Sequence, residues 1–136
     1  MNFEYLMNSD EFHCRMKIRS CNLTAEESLV IENWLMTDAT LPERIVEYLK
    51  KALEMEDKDV EKWVGGNEFW WKSGKEYTHI MYQYEERFEE GKCPFKPCKV
   101  STKFLYEILE VWAVEYEKWR KEQQKNKINK NWERKK

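Results

Sequence analysis

Apolar residues alternate with polar ones between residues 12 and 19, and this pattern limits the fold more than any other feature of the chain. Phe12, Cys14, Met16 and Ile18 are each followed by a basic or polar residue. Successive side chains of a strand point to opposite faces, so a period of two predicts a strand with one buried face. Its other face would carry a basic set: His13, Arg15, Lys17 and Arg19. A shorter alternation at 3–7, followed by turn residues at 8–10, predicts that this strand belongs to a hairpin.

The apolar period then changes to that of an α-helix. A capping box at 24–27 precedes a helix that we expect to end near Asp38. A second box at 40–43, with a proline in its first turn, predicts another helix. Apolar residues within 60–64 predict one more helical turn, which the glycines at 65–66 would end.

Beyond the glycines the period returns to two. Strands are predicted at 68–72 and 76–85, followed by a loop at 86–100 and a helix from about 101 to 123. The strand at 76–85 is apolar on both faces, so we expect it to be central in its sheet. The order ββααββα predicts an α+β fold, in which two hairpins form an antiparallel sheet of about four strands with helices packed on one face.

The charge of the chain is divided unevenly. A formal net charge of −2 over 136 residues combines +5 on residues 121–136 with −7 on residues 1–120. We expect residues 1–120 to form a single domain, and 121–136 to be a basic tail in which the last helix ends and the chain becomes frayed or disordered. An aromatic content of 15% with only four Gly and three Pro argues against a disordered chain. Without a long apolar run or a signal-peptide pattern, the expected location is the cytoplasm, with no membrane partner.

Two clusters of carboxylates stand out within the acidic body. The first contains Glu54, Glu56, Asp57, Asp59 and Glu61, and the second contains Glu85, Glu86, Glu89 and Glu90. Such clusters are most often solvated surface. They would also steer the chain towards a basic partner, so they are the first candidates for a partner-binding surface.

The tryptophans provide the second candidate. Trp34, Trp63 and Trp112 lie on apolar helical stripes and are expected in the core. Trp70 and Trp71 are consecutive on a strand and must therefore face opposite sides of the sheet. One of these two would lie on a face that is either a partner surface, beside the basic set at 13–19, or is covered by the last helix or the tail.

The motifs for catalysis and metal binding are weak. The four cysteines have spacings that suit zinc poorly, and His13 and Cys14 would point to opposite sides of their strand. A disulfide between Cys93 and Cys98 remains an alternative to four free thiols. The glycines at 65–66 lack the pattern of a phosphate loop. We therefore expect no enzyme activity, no metal and no cofactor.

The opening MNFEYL, the Cys14-Arg15-Met16 strand and the strand that includes Lys75-Glu76-Tyr77-Thr78 resemble the small YacL-like bacterial proteins, as does the aromatic C-terminal helix. The chain departs from them in its longer helical middle at 24–64 and in its basic tail. In size, acidity, aromatic content and lack of catalytic motifs it also resembles immunity proteins of contact-dependent and other polymorphic toxin systems. That resemblance implies a non-catalytic protein that neutralises a cognate toxin, commonly a nuclease, by binding it, and it carries over no site residues.

These features give two hypotheses for function. The first is an immunity protein that covers a basic toxin domain with its acidic clusters and with the exposed member of the pair Trp70 and Trp71. The alternative is a nucleic-acid-associated regulatory protein that uses the basic strand face at 13–19 and the basic tail, with binding that weakens as salt increases.

Overall fold

Two antiparallel sheets and three α-helices form the fold in a computed structural model, which describes residues 2–56 and 62–134, with side chains to residue 128. The strands are β1 (Glu4–Met7), β2 (Met16–Arg19), β3 (Val64–Gly65), β4 (Phe69–Ser73), β5 (Tyr77–Tyr82) and β6 (Cys98–Ser101). The helices are α1 (Ala25–Asp38), α2 (Pro42–Leu53) and α3 (Thr102–Arg134), with a short 3₁₀ helix at Glu85–Arg87. The predicted α+β class is confirmed.

The first hairpin has the expected antiparallel pairing, with Glu4 opposite Arg19, but it forms a two-stranded sheet of its own. The prediction that both hairpins share one sheet is therefore wrong. Strand β2 is also shorter than the alternating pattern, because the Asp10 carboxylate accepts hydrogen bonds from the backbone N–H groups of Phe12 and His13, both at 2.8 Å, and holds a turn there. Phe12 is exposed in this turn. The remaining apolar positions are buried as predicted: Cys14, Met16 and Ile18.

The two predicted capping boxes have different outcomes. The first is confirmed, because the Thr24 hydroxyl accepts from the Glu27 N–H at 3.1 Å and the Glu27 carboxylate accepts from the Thr24 N–H at 2.8 Å. The second is wrong: Leu41 is the N-cap of α2 and makes no side-chain capping bond. Pro42 still begins α2, at a position where its missing N–H leaves no bond unmade.

The second sheet has the strand order β3-β4-β5-β6, with every neighbouring pair antiparallel. Strand β5 is internal, as predicted. The helical turn expected at 60–64 is wrong where the structure describes it, because Val64 pairs with Trp71 in β3; Val60 lies outside the described residues. Strand β6 occupies the end of the segment predicted as a loop, and its pairing with β5 places Cys98 opposite Ile80.

The helices pack against one face of this second sheet and enclose the core. Trp34 of α1 and Trp112 of α3 are fully buried, which confirms their prediction. The Trp34 ring meets Trp71 edge to face at 5.4 Å, and the Trp112 indole N–H donates to the Ala39 carbonyl at 2.9 Å. Trp63 was also expected in the core, but it precedes β3 outside any helix and is 43% exposed.

The last helix extends well beyond its predicted end near residue 123. Helix α3 has 33 residues and includes residues 121–134 of the basic tail. No Gly or Pro occurs after Pro97, and eleven of residues 121–136 are Lys, Arg, Glu or Gln, which have high helix propensity. An ion pair one turn apart supports the exposed part, where Arg120 contacts Glu117 at 2.8 Å. In the described part of the chain no helix is both long and apolar enough to cross a membrane.

Candidate functional site

The second sheet presents one face away from the helices, and we call this the outer face. Its side chains alternate along each strand with the buried ones, so their direction follows from the pleat of the sheet. Trp70, Tyr77 and Met81 are 50%, 48% and 41% exposed. The members of the outer face are Gly65, Trp70, Lys72, Tyr77, His79, Met81, Lys99 and Ser101.

The strand register arranges these side chains in three rows that cross the strands. Trp70 is paired with Met81 in the first row. In the second row Lys72, His79 and Lys99 lie side by side on β4, β5 and β6, and we call this the basic row. In the third row Tyr77 is paired with Ser101. Neighbouring rows are two residues apart, or about 7 Å.

Aromatic rings position the two lysines of the basic row. The Lys72 ammonium lies 4.7 Å from the centroid of Trp63, and the Lys99 ammonium lies 4.3 Å from the centroid of Tyr77. Such contacts are worth about 0.5–1 kcal/mol at an exposed site. Between the lysines, burial and the two neighbouring positive charges lower the pKa of His79 below its usual 6.5. The imidazole is therefore mostly neutral at pH 7, and the row carries its charge on the lysines.

Trp70 has a defined position over a glycine. A Cβ atom on Gly65 would lie 3.5 Å from the Trp70 indole Nε1, so the indole covers the glycine backbone at van der Waals distance. Trp70 has one side against β3 and half of its surface exposed. Because folding already holds the side chain in place, binding a partner would cost it little further conformational entropy.

The second carboxylate cluster lies at the end of the outer face nearest Trp70. We call this cluster the acidic segment. All four of its glutamates are exposed: Glu85, Glu86, Glu89 and Glu90. Arg87 connects the segment to the second sheet. Its guanidinium lies 3.9 Å from the centroid of the Tyr84 ring and 3.2 Å from a carboxylate oxygen of Glu68, the residue before β4. The acidic segment begins three residues after the end of β5.

The structure separates the other predicted partner-binding residues. Trp71 is only 6% exposed and packs in the core, so its assignment to a partner surface is corrected and Trp70 is the exposed member of the pair. Glu54 and Glu56 are exposed at the end of α2. The remaining members of the first cluster lie outside the described residues: Asp57, Asp59 and Glu61.

The basic set at 13–19 does not share a sheet with Trp70, although the interpretation of this face as a partner surface placed the two side by side. It belongs to the separate first hairpin, where Arg19 of β2 pairs with Glu4 of β1 at 2.7 Å and Arg15 pairs with Asp10 in the connection at 3.4 Å. The cations beside Trp70 come from β4 and β6 instead. The prediction of a loop at 86–100 leaves Lys99 outside any strand, although the alternation of Cys98, Lys99, Val100 and Ser101 is a signal for a strand.

The cysteines are four free thiols, three of them buried and only Cys21 exposed. Burial raises the pKa of Cys98 to about 12, so its thiol is almost entirely protonated at neutral pH. Within residues 2–56 and 62–134 no group of three or more His, Cys, Asp or Glu side chains is placed to hold a metal ion.

A recess of about 530 Å³ lies between α2 and β3 and includes Asp38 in its wall. The Asp38 carboxylate accepts hydrogen bonds from the backbone N–H groups of Glu68 and Phe69, both at 2.9 Å, and from the Thr37 hydroxyl at 2.8 Å. Burial outweighs these bonds and raises the pKa of Asp38. These contacts give the carboxylate a structural role in joining the end of α1 to the start of β4.

Comparison of the chain with protein-family models, with curated proteins and with solved structures gave no match. The fold and surface define an α+β domain with one sheet face against its helices and the other exposed. The argument for function therefore depends on the chemistry of the outer face and the acidic segment.

Proposed function

We propose that the chain is a non-catalytic binding protein that docks a protein partner against its outer face. The observation that supports this most directly is the pair of Trp70 and Met81, two large apolar side chains that are side by side and about half exposed. Tryptophan, tyrosine and methionine are enriched at protein interfaces, and tryptophan is especially common among residues whose truncation costs most binding energy. Exposed apolar surface of this kind marks partner sites more often than ordinary surface.

The particular function that we propose is that of an immunity protein, which neutralises a bacterial toxin by covering it. The acidic segment and the exposed Glu54 and Glu56 favour a toxin with a basic surface, such as a nuclease. The −7 charge of residues 1–120 would speed the encounter, since electrostatic steering raises association rates by roughly 10–10³ at low salt.

The test uses the product of a neighbouring toxin gene, co-expressed with the chain and measured for both binding and protection of growth. Trp70→Ala should weaken binding about 30-fold, which corresponds to about 2 kcal/mol for a central interface residue. Phe12→Ala removes an aromatic of the first hairpin that is more exposed than Trp70, and it is the control. Equal binding by the wild type and by Trp70→Ala would refute docking on the outer face.

A second candidate function, nucleic-acid-associated regulation, is favoured by one observation. The basic row lies between Trp70 and Tyr77, and aromatic rings beside cations are the elements that bind bases and phosphates of single strands. This function predicts binding of a single-stranded oligonucleotide that weakens steeply as salt increases. A gel-shift assay that shows no complex at low salt would dismiss it.

A further inference from the structure

Charge changes sign between the outer face and the acidic segment, which follows β5 in the chain. The basic row lies near the Tyr77 end, the apolar pair Trp70 and Met81 is about 7 Å further on, and the acidic segment begins at Glu85. Glu85 is the fourth residue after Met81, so at most about 14 Å of chain connects the apolar pair to the first carboxylate. Positive, apolar and negative zones thus follow one another over about 20 Å.

Both charged zones are held in place by contacts with the second sheet. The basic row spans two strand spacings, which places Lys72 and Lys99 about 10 Å apart on a hydrogen-bonded sheet. The acidic segment is fixed through Arg87, which contacts Tyr84 and Glu68. Both zones are therefore attached to the same sheet, and their separation is set by the fold.

The size of the outer face shows that a partner must extend beyond it. Three strand spacings give a width of about 14 Å and the six residues of β5 give a length of about 20 Å, or about 280 Å². A typical interface covers about 800 Å² on each partner. A protein seated on Trp70 would therefore also cover its surroundings, and the acidic segment adjoins the Trp70 end.

We propose that the partner is a folded protein with a matching surface of opposite polarity, in which carboxylates meet the basic row, an apolar side chain packs beside Trp70, and lysine or arginine side chains meet the acidic segment. This inference rests on the proposed docking function and adds the chemistry of the partner. It combines the acidic surface expected of a toxin-binding protein with the lysines found beside Trp70. The two charged zones would fix the direction in which the partner docks, because the reversed orientation places like charges together.

The same arrangement disfavours a nucleic acid in this position. A single strand long enough to run along β5 past Trp70 would bring its phosphates to the exposed carboxylates of the acidic segment. Only Lys72 and Lys99 contribute full positive charges within the outer face at pH 7, because the pKa of His79 is lowered. Phosphate contacts are the main source of affinity for nucleic acid, and this surface supplies few of them.

The test selects binders for the full chain from a yeast-displayed library of a small three-helix domain with one randomised face. Binders that depend on Trp70, as measured with Trp70→Ala, should contain both acidic and basic residues on their randomised face. Two charge reversals, Lys72→Glu with Lys99→Glu and Glu86→Lys with Glu89→Lys, should each slow association about tenfold at low salt. Both effects should shrink in 0.5 M NaCl because salt screens them.

Each double reversal has a control with the same change in net charge elsewhere on the chain. Lys125→Glu with Lys127→Glu and Glu110→Lys with Glu122→Lys change exposed residues of α3 and should leave association within about twofold of the wild type. If Trp70-dependent binders are insensitive to either reversal on the outer face or the acidic segment, the matching polarity is refuted and docking on the outer face stands. If none of the binders depends on Trp70, both proposals are refuted.

A parallel titration with the oligonucleotide (dT)₁₅ tests whether the outer face binds a single-stranded nucleic acid instead of a protein. Fluorescence anisotropy should detect no binding that depends on Trp70. For a nucleic-acid surface, Glu86→Lys with Glu89→Lys would strengthen binding, whereas it should weaken every protein binder described above. Oligonucleotide binding that is lost in Trp70→Ala and strengthened by this reversal would overturn the protein partner in favour of a single strand.

Discussion

Three buried hydroxyl groups form a directed chain at the Tyr77 end of the second sheet. Ser73 Oγ lies 2.7 Å from Thr78 Oγ1, Thr78 Oγ1 lies 2.9 Å from Thr102 Oγ1, and Thr102 Oγ1 donates to the Gly74 carbonyl at 2.8 Å. Because a carbonyl only accepts and each hydroxyl has one proton, Thr102 must accept from Thr78, and Thr78 from Ser73. All three side chains are fully buried.

This direction predicts that two substitutions in the chain have unequal costs. Thr78→Val keeps the shape of the side chain but leaves the Ser73 hydroxyl as a buried donor without an acceptor, and it also deprives Thr102 of a donor. A buried unsatisfied group costs about 1–3 kcal/mol, so we expect a loss of about 2–4 kcal/mol in the free energy of unfolding. Ser73→Ala removes a donor and leaves the rest of the chain intact, for a loss of about 1 kcal/mol.

The double variant tests the reasoning, because removing the Ser73 hydroxyl also removes the group that Thr78→Val leaves unsatisfied. Urea unfolding followed by tryptophan fluorescence should show that Ser73→Ala with Thr78→Val is more stable than Thr78→Val alone. Thr78→Ser is the control, because it loses a methyl group but retains the hydroxyl and its hydrogen bonds. If the double variant is less stable than Thr78→Val by the full cost of Ser73→Ala, the hydroxyls act independently and the directed chain is wrong.

Three further predictions concern other sites. Gly66→Ala should destabilise the chain by about 1–3 kcal/mol in the same urea assay, because its Cβ would lie 2.8 Å from Trp71 Cζ3 and still closer to the Asp38 carboxylate. Gly65→Ala should cost less stability, and equal costs for the two variants would contradict this packing. Ellman's reagent at pH 8 should modify one thiol rapidly, that of Cys21, and all four only in guanidinium chloride; fast modification of a second thiol would refute the burial. Because the pKa of His79 is lowered in the folded chain, the unfolded chain binds a proton at this histidine first as pH decreases. The urea midpoint should therefore fall as pH decreases through 6.5, and it should fall less in His79→Gln. The same pH dependence of the midpoint in both proteins would contradict the lowered pKa.

The sequence predicted local structure well where the signal lay within one turn of chain. The capping box at Thr24 and Glu27 needs only four residues, and both of its hydrogen bonds form. The second box has the same residue pattern, but α2 begins after Leu41 without a side-chain cap. The residue pattern shows that the side chains of a cap are present. Whether they form the capping hydrogen bonds depends on the path of the connection from α1 to α2.

The parts of the surface that were missed depend on pairing between distant segments. Strand β3 has two residues and β6 has four, and both are defined by hydrogen bonds to a neighbour in the sheet instead of by a long alternation. The basic row requires residues 72, 79 and 99 to be in register on three strands. A sequence shows the lysines and the histidine, but their alignment appears only when β6 is paired with β5.

The length of α3 has an electrostatic consequence for the whole molecule. From Trp119 to Arg134 the helix advances by about 22 Å, and residues 121–136 carry +5 against −7 on residues 1–120. The positive charge of the tail is displaced along the axis of α3 from the acidic body, which gives the molecule a permanent dipole. The molecule should therefore turn in the field of a charged surface before it touches it, and its dielectric relaxation should weaken strongly when the basic residues of the tail are neutralised.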